Sequence, residues 1–176
     1  MSNAKLDYKI SLDTIYNKIT GDYCWVHTRG GVIPGNPPLV VATTQQWAMG
    51  QSDIFSEVYH LKTEDMGETW SEPIKNTNLG NRKTAEGLEI GISGLYPAYH
   101  KVSGKLLATG LTVTYDGGIH PASVNNSFRI FPTYTIYKED SDTWSDWQTV
   151  DLGDDEKFHR SSWDSCQRFE ILRRNS

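Results

Sequence analysis

Short apolar runs separated by turn residues cover most of the chain, a pattern that predicts β-strands rather than helices. The runs at residues 23–28 and 39–44 are rich in aromatic and β-branched residues, and residues 55–62 alternate between apolar and polar positions. Gly30 and Gly31 come directly after the first run and predict a turn there. The sequence therefore predicts an all-β fold in which these strands form a first unit.

The second half of the chain repeats this succession. Apolar runs between residues 88 and 114 are followed by a strand-like run at 127–137. Residues 76–86 are polar and show no periodicity, which indicates a connection between two units. We therefore expect one unit at about residues 20–76 and a second at about residues 87–152.

A turn motif ends the third predicted strand of the first unit. Thr63, Asp65, Gly67, Thr69 and Trp70 follow the pattern Ser/Thr-x-Asp-x-Gly-x-Thr-Trp. The aspartate can accept backbone N–H groups of its own turn, the glycine can adopt a positive φ, and the tryptophan can fold back on the hairpin. These roles are structural, so the motif predicts a fold more strongly than a chemistry.

A degenerate copy of this motif lies 74 residues later. The Thr-Trp pair recurs as Thr143 and Trp144, and Asp140 aligns with Asp65 if one residue is omitted from the second turn. Gly67 has no equivalent there. A repeat at a long fixed spacing, with each copy ending a β-rich unit, is typical of the blades of a β-propeller.

With these motifs, the order of residues resembles the N-terminal part of a sialidase-like β-propeller, the family of Asp-box (BNR) repeats. The segments that carry the resemblance are residues 25–29, 33–34, 39–41, 52–55 and 63–70. The resemblance implies a partial propeller with two four-stranded blades and the first strand of a third at about 160–176, whereas the family's full domain has six blades. Since a propeller closes only with about 4–8 blades, we expect either further blades beyond this chain or three copies that complete a ring.

Asp53 matches the acid/base aspartate of the family, because it stands directly before Ile54 and Phe55 and shortly ahead of the Asp box. In that role its carboxyl would protonate the leaving glycosidic oxygen, which requires a pKa near neutrality in a partly dry pocket. The alternative is a loop aspartate whose side chain caps its own turn.

Arg29 stands near the family's Arg-Ile-Pro arginine, one of three that clamp the carboxylate of sialic acid, but three residues separate it from Ile33. It is expected either to bind a carboxylate or to lie exposed beside a turn. Trp47 is expected either to stack on a sugar or to pack in the core. A second clamp arginine is missing from residues 45–50, and the tyrosine nucleophile has no match, so the resemblance implies a chain that is inactive on its own.

Composition narrows the classes of ligand and partner. The chain has 176 residues, of which 37% are hydrophobic and 11% aromatic, as expected for a globular β-rich protein. The net charge is −5 without a long basic stretch, which argues against nucleic acid, and no apolar run reaches the ~18 residues that cross a membrane. The five histidines lie in separate segments, so we predict no metal and no cofactor.

Cys24 and Cys166 lie in first strands of different predicted units, a spacing that permits one long-range disulfide but favours two buried, reduced thiols. Residues 1–4 look like the remnant of an expression vector, so the predicted domain covers residues 5–176. No signal peptide is visible, while the family resemblance implies a secreted or periplasmic protein.

Three functions are compatible with these observations. The first is a fragment of a sialidase-like glycoside hydrolase that acts on or recognises glycans through Asp53 and Arg29. The second is a carbohydrate-binding propeller without catalysis, and the third is a scaffold propeller, since a fold alone does not define an activity.

Overall fold

The computed structural model describes residues 8–10, 12–18, 20–50, 54–116 and 130–151. Strands dominate its regular structure, and they form antiparallel sheets, as the pattern of apolar runs predicts. The strands are β1 (Tyr23–Ile33), β2 (Leu39–Ala48), β3 (Phe55–Thr63), β4 (Ile74–Lys75), β5 (Arg82–Lys83), β6 (Glu89–His100), β7 (Lys105–Tyr115), β8 (Pro132–Lys138), β9 (Thr143–Trp144) and β10 (Gln148–Thr149). None of the helical turns in the described ranges is long and apolar enough to cross a membrane.

The two sheets share one topology. In the first sheet the order is β1-β2-β3-β4, and every neighbouring pair is antiparallel. In the second sheet β6, β7, β8 and β10 follow each other in the same way, with the short β5 added beside β6 and β9 paired with β8. Each sheet therefore contains a four-stranded meander, and we call these meanders the first unit (β1–β4) and the second unit (β6, β7, β8 and β10).

The hydrogen-bond register shows that the third and fourth strands of the two units are copies. Tyr59 pairs with Lys75 in the first unit, and Thr133 pairs with Thr149 in the second, each residue standing 74 positions later. The same spacing holds for the hydrogen bonds that close the two turns. The turns are therefore equally long, and the one-residue gap in the sequence match was wrong.

The false gap arose from matching Tyr59 with Tyr134. In the structure Tyr59 corresponds to Thr133, and a shift of one residue in a strand moves a side chain to the opposite face of the sheet. The correct spacing also places Glu139, rather than Asp140, at the position of Asp65.

Both first strands carry a bulge at the same position. The pairing of β1 with β2 shifts between Val26 and Arg29, and the pairing of β6 with β7 shifts between Ser93 and Tyr96. A residue with positive φ opens each bulge, His27 with φ 56° and Gly94 with φ 63°. The bulge is therefore a feature of the repeated unit rather than a local defect.

The units pack face to face, each with a different face. From the first unit, Val41 and Val58 enter the shared core, and from the second unit Leu106 and Ala108 meet them. When the two units are aligned by their strand pairing, Leu107 rather than Leu106 corresponds to Val41. Leu106 therefore lies on the face of its unit that is opposite to the face carrying Val41 in the first unit. The packing is therefore head-to-tail, and each unit has a leading face and a trailing face. We use "trailing face" for the one that carries Val41 in the first unit.

Gly31 sets the distance between the first strands. The sequence predicts a turn at Gly30 and Gly31, but both lie inside β1, so that prediction was wrong. A Cβ atom on Gly31 would stand 2.8 Å from the backbone of Pro97 and 2.8 Å from the Leu106 side chain. The glycine is needed because β1 and β6 approach too closely for a side chain.

The remaining sequence predictions meet the structure in part. Residues 76–86 connect the units as predicted, but they also contain the turn Thr77–Leu79 and the strand β5. Cys24 is half-buried in β1. Cys166 and the strand predicted at about 160–176 lie outside the described residues.

Candidate functional site

An open cleft of about 400 Å³ lies between the two units, at the ends of the strands opposite the Asp-box turns. The start of β3, the end of β7, the start of β6 and the connection between the units all contribute to it. Its lining residues are Ile54, Phe55, Ser56, Glu57, Gly80, Asn81, Glu89 and Tyr115. The cleft is therefore built from segments that the topology brings together from distant parts of the chain.

Gln45 holds the two units together close to the cleft. Its amide nitrogen donates to the carbonyl of Ser56 at 3.1 Å and to the carbonyl of Ile92 at 2.9 Å. Its amide oxygen accepts the N–H of Gly94 at 3.3 Å. The side chain is 2% exposed, so its polar atoms require these partners, and they fix the position of Ser56 on the cleft wall.

Tyr115 and Ser56 are also held by the surrounding backbone. The N–H of Phe55 donates to the Tyr115 hydroxyl at 3.2 Å, across the boundary between the units. The Ser56 hydroxyl accepts the N–H of Gln46 at 3.2 Å and donates to the carbonyl of Glu57 at 3.2 Å. This wall of the cleft is thus pre-organised before any ligand binds.

Glu57 brings a carboxylate to the cleft. Its Oε1 atom forms an ion pair with Lys75 Nζ at 2.8 Å, and the hydrogen bond from Lys75 lowers the pKa of Glu57. The carboxylate is therefore ionised at neutral pH. Such a group accepts hydrogen bonds well, but it does not suit the role of a general acid, which requires a raised pKa.

Glu89 supplies the second carboxylate of the cleft, at the start of β6. Its Oε1 atom accepts a hydrogen bond from the Asn81 side-chain amide at 2.7 Å. Asn81 lies in the connection between the units, and its amide carries a second donor and an acceptor oxygen. Carboxylates and an amide offer the acceptors and donors that a ligand rich in hydroxyl groups requires.

The three residues predicted for the site from the sequence fall in different places. Asp53 lies outside the described residues, although its neighbour Ile54 lines the cleft. Arg29 lies in β1, where its guanidinium stacks 5.0 Å from the centre of the Tyr96 ring and donates to the carbonyl of Thr28. Neither contact involves a residue of the cleft.

Trp47 lies in β2 and is half-buried. Its indole nitrogen is buried without a hydrogen-bond partner among the described residues. The tryptophan is paired with Cys24 on one side and with Phe55 on the other, and it is not one of the residues that line the cleft.

The first Asp-box turn is tied together by its own side chains. Asp65 accepts hydrogen bonds from the Thr69 N–H at 2.9 Å, the Thr69 hydroxyl and the Thr63 hydroxyl at 2.7 Å. The Thr69 hydroxyl is the largest cause of the low pKa of Asp65, which is about 2. Gly67 has a φ of 95°, and the Trp70 indole packs over it. The contacts of this carboxylate are local and structural.

The second turn uses a different carboxylate. Asp142, with φ 49°, accepts hydrogen bonds from Tyr137 and His60 on one oxygen and pairs with Lys62 at 2.8 Å on the other. His60 is fully buried, and its other ring nitrogen contacts Asn76 at 3.1 Å. This polar cluster joins the second turn to β3 of the first unit, whereas Asp140 is exposed.

Trp144 fills the core beside that cluster. It is fully buried, and its ring lies 5.3 Å from the Tyr137 ring. Its carbonyl accepts a hydrogen bond from the Asn78 amide at 2.8 Å. Trp70, at the same position in the first unit, is only half-buried. The tryptophan of the second turn thus contributes to the joint between the units.

Sequence reasoning missed Glu57, Asn81, Glu89 and Tyr115. Tyr115 stands 60 residues from the N–H that its hydroxyl contacts, and no periodicity encodes such a pairing. The available signal was positional, since these residues stand where strands meet the connections on one end of the sheets. Within the described ranges no group of three or more His, Cys, Asp or Glu side chains could hold a metal ion.

Comparison with known proteins gives no further information about the cleft. The chain matches no family model, no curated protein and no solved structure.

Proposed function

We propose that this chain forms two blades of a sialidase-like β-propeller of glycoside-hydrolase descent, and that it recognises a neutral glycan in the cleft. The blade assignment is supported by two four-stranded meanders in one register, each with a tryptophan after its third strand. Head-to-tail packing of the units is the arrangement from which a ring of repeats is built.

The cleft carries the functional part of the proposal. It lies where strand ends and the connection between the units converge, and loops on a rigid scaffold are where binding residues concentrate. Glu57, Glu89 and Asn81 offer hydrogen-bond acceptors and donors, while Phe55 and Tyr115 offer apolar surface. A ligand with hydroxyl groups and apolar ring faces matches this combination.

The charge of the cleft favours neutral sugars over sialosides. Of the two glutamates that line it, Glu57 is paired with Lys75, whereas Glu89 contacts the neutral amide of Asn81, so Glu89 is the residue that would repel a bound carboxylate. Arg29, the arginine that the family resemblance assigns to the sialic acid carboxylate, is engaged with the Tyr96 ring and the Thr28 carbonyl. We therefore assign the chain to recognition of uncharged glycans.

Catalysis is not required for this role. Glu57 has a lowered pKa, so it acts as an acceptor of hydrogen bonds and not as a proton donor. Asp53 stays the acid/base candidate of the family resemblance. The tyrosine nucleophile of the family has no counterpart in this chain, so we expect recognition without turnover.

Saturation-transfer NMR on the full chain tests this assignment. We expect signals from methyl glycosides of galactose, glucose or mannose, and none from sialyllactose. Glu89→Gln should weaken binding, since the amide replaces one strong acceptor oxygen with a donor. Glu139→Gln, which makes the same change at the far end of the sheets, should bind like the parent chain.

Two results would reject the assignment. Absence of binding across the neutral glycosides would favour a scaffold propeller, and preferential binding of sialyllactose would show that the charge argument is wrong. Fluorogenic glycosides provide the parallel test of turnover. Hydrolysis that is lost in Asp53→Asn would restore the hydrolase assignment.

A further inference from the structure

The trailing face of the second unit is a feature that the cleft does not explain. In the first unit the trailing face carries Val41, Gln45 and His60, and all three are at most 2% exposed because the second unit covers them. The residues of the second unit at the same positions are Leu107, Leu111 and Tyr134, and each is only half-buried.

This face is more apolar than the covered one. Leu111 replaces Gln45, and Ile136 replaces the charged Lys62 at the fourth position. Val113 continues the same face along β7. Leucine and isoleucine side chains gain most from burial, so their placement on an outer face indicates that something covers it.

We propose that residues 163–174 of this chain form the first strand of a third unit and cover this face. These residues lie outside the described ranges, and the repeat supplies their position. The second unit's β6 begins 14 residues after the last residue of β4. The same interval after Thr149, the last residue of β10, leads to Trp163, and a strand as long as β6 ends at Arg174.

The bulge found in both first strands explains how the apolar residues of this segment can share one face. In β6 the residues that face the first unit are Ile92, Leu95 and Pro97, spaced by the bulge at Gly94. The positions 74 residues later are Cys166, Phe169 and Ile171, all apolar. Without a bulge these three side chains would not share a face, since strand side chains alternate.

The other side of the same segment is polar in its middle, between Trp163 and Leu172. Ser165, Gln167 and Glu170 occupy the positions of Gly91, Ser93 and Tyr96. An apolar side toward Leu107 and Leu111 and a polar side away from them is the pattern of a strand that covers a sheet.

A second copy of the chain is the other occupant that the repeat allows, but the leading face of the first unit is already covered. Ala42, Thr44 and Leu61 on that face are at most 3% exposed within one chain. At its edge the Tyr16 ring packs edge-on against Trp25 at 5.3 Å. The leading face of a second copy is thus less available than the segment that follows β10.

Cross-linking in the full chain tests the proposal. The Ile92 carbonyl contacts Gln45, so the repeat places Cys166 beside Leu111. Packed sheets lie about 10 Å apart, beyond the reach of a direct disulfide, so a short bis-maleimide is the appropriate reagent. In a Cys24→Ser background, Leu111→Cys should cross-link to Cys166 within one chain. Val102→Cys, which lies exposed in the β6–β7 turn, is the matched control and should not.

Hydrogen exchange provides a second readout that does not depend on introduced cysteines. Phe169→Ser should speed exchange of the β7 and β8 amides several-fold, while Gln167→Ser on the polar side should leave it unchanged. Equal cross-linking of Leu111→Cys and Val102→Cys, or equal exchange in the two serine variants, would overturn the proposal. Cross-links between two chains would overturn it in favour of a second copy. The proposal rests on the repeat alone, so it stands or falls separately from glycan binding.

Discussion

A single carboxylate, that of Asp142, joins the second turn to the first unit. It stands at a left-handed φ and holds three side chains, His60, Lys62 and Tyr137, two of which come from β3. Together its partners lower its pKa to about 2, against the cost of partial burial. Asp142 therefore contributes both to the geometry of the turn and to the joint between the units.

Replacing this residue by asparagine is a clean test, because asparagine also tolerates the left-handed conformation. Asp142→Asn should lower the free energy of unfolding at pH 7 by about 1.5–3 kcal/mol, the range for hydrogen bonds to charged groups. Asp140→Asn in the same turn should change it by less than about 0.5 kcal/mol, as for exposed positions. Urea unfolding of both variants provides the comparison.

The difference in unfolding free energy between the parent chain and Asp142→Asn depends on pH in a defined direction. The pKa of Asp142 in the folded protein is about 2, below the ordinary value of 3.8. The stabilisation by its charge is therefore complete above about pH 4 and is lost as the pH falls toward 2. The gap between parent and Asp142→Asn should narrow over this interval. A gap that stays constant down to pH 2 would show that the charge of Asp142 is not what stabilises the joint.

At the scale of the elements, the sequence predicts what is local and misses what is not. The strands and the first Asp-box turn follow from alternation and from turn residues within a few positions. The register of the second turn did not, because Tyr134 matched Tyr59 by type while hydrogen bonds pair the strands one residue earlier. Gly31 was wrongly predicted to lie in a turn, because the backbone that leaves no room for a side chain there, that of Pro97, lies in another sheet. The cleft was missed for the same reason, because its lining residues come from distant parts of the chain.

The two Asp-box turns use the hydroxyl of their threonine in different ways, which offers a matched pair of variants. Thr69 donates to Asp65, whereas its equivalent Thr143 contacts the Ser141 hydroxyl at 2.7 Å. Thr69→Val should raise the pKa of Asp65 from about 2 toward 3.8, since the hydrogen bond from the Thr69 hydroxyl is the largest cause of the low pKa. Carboxyl titration by NMR measures this, with Thr143→Val as the control. An unchanged Asp65 titration in Thr69→Val would exclude the hydroxyl as the cause.

The whole molecule has two ends with different tasks. The Asp-box turns, the Asp142 cluster and Trp144 occupy one end of the sheets, where they contact other parts of the fold. The cleft occupies the other end, where carboxylates and an amide face solvent. This division places the strongest motif in the sequence outside the lining of the cleft.

The mass of the full chain in solution distinguishes two ways of covering the trailing face. We expect a monomer at micromolar concentration by light scattering, because the chain supplies the covering strand itself. Three copies forming one ring of six units would give a trimer. A trimer that dissociates in Leu111→Asp, but persists in Val102→Asp, would establish that the face is shared between chains.

The glycine of β1 and the tryptophan of the second turn differ greatly in bulk, and both stand between the same two sheets. At the first strands the gap admits no side chain, since even a Cβ on Gly31 would meet Pro97 at 2.8 Å. At the third strands the gap holds the whole indole of Trp144. The interface is consequently narrow between the first strands, β1 and β6, and wider beside the third strands, β3 and β8. In the proposed propeller, units added with the same spacing would curve around an axis beside β1 and β6, so the identity of one small residue would help decide how many units complete a turn.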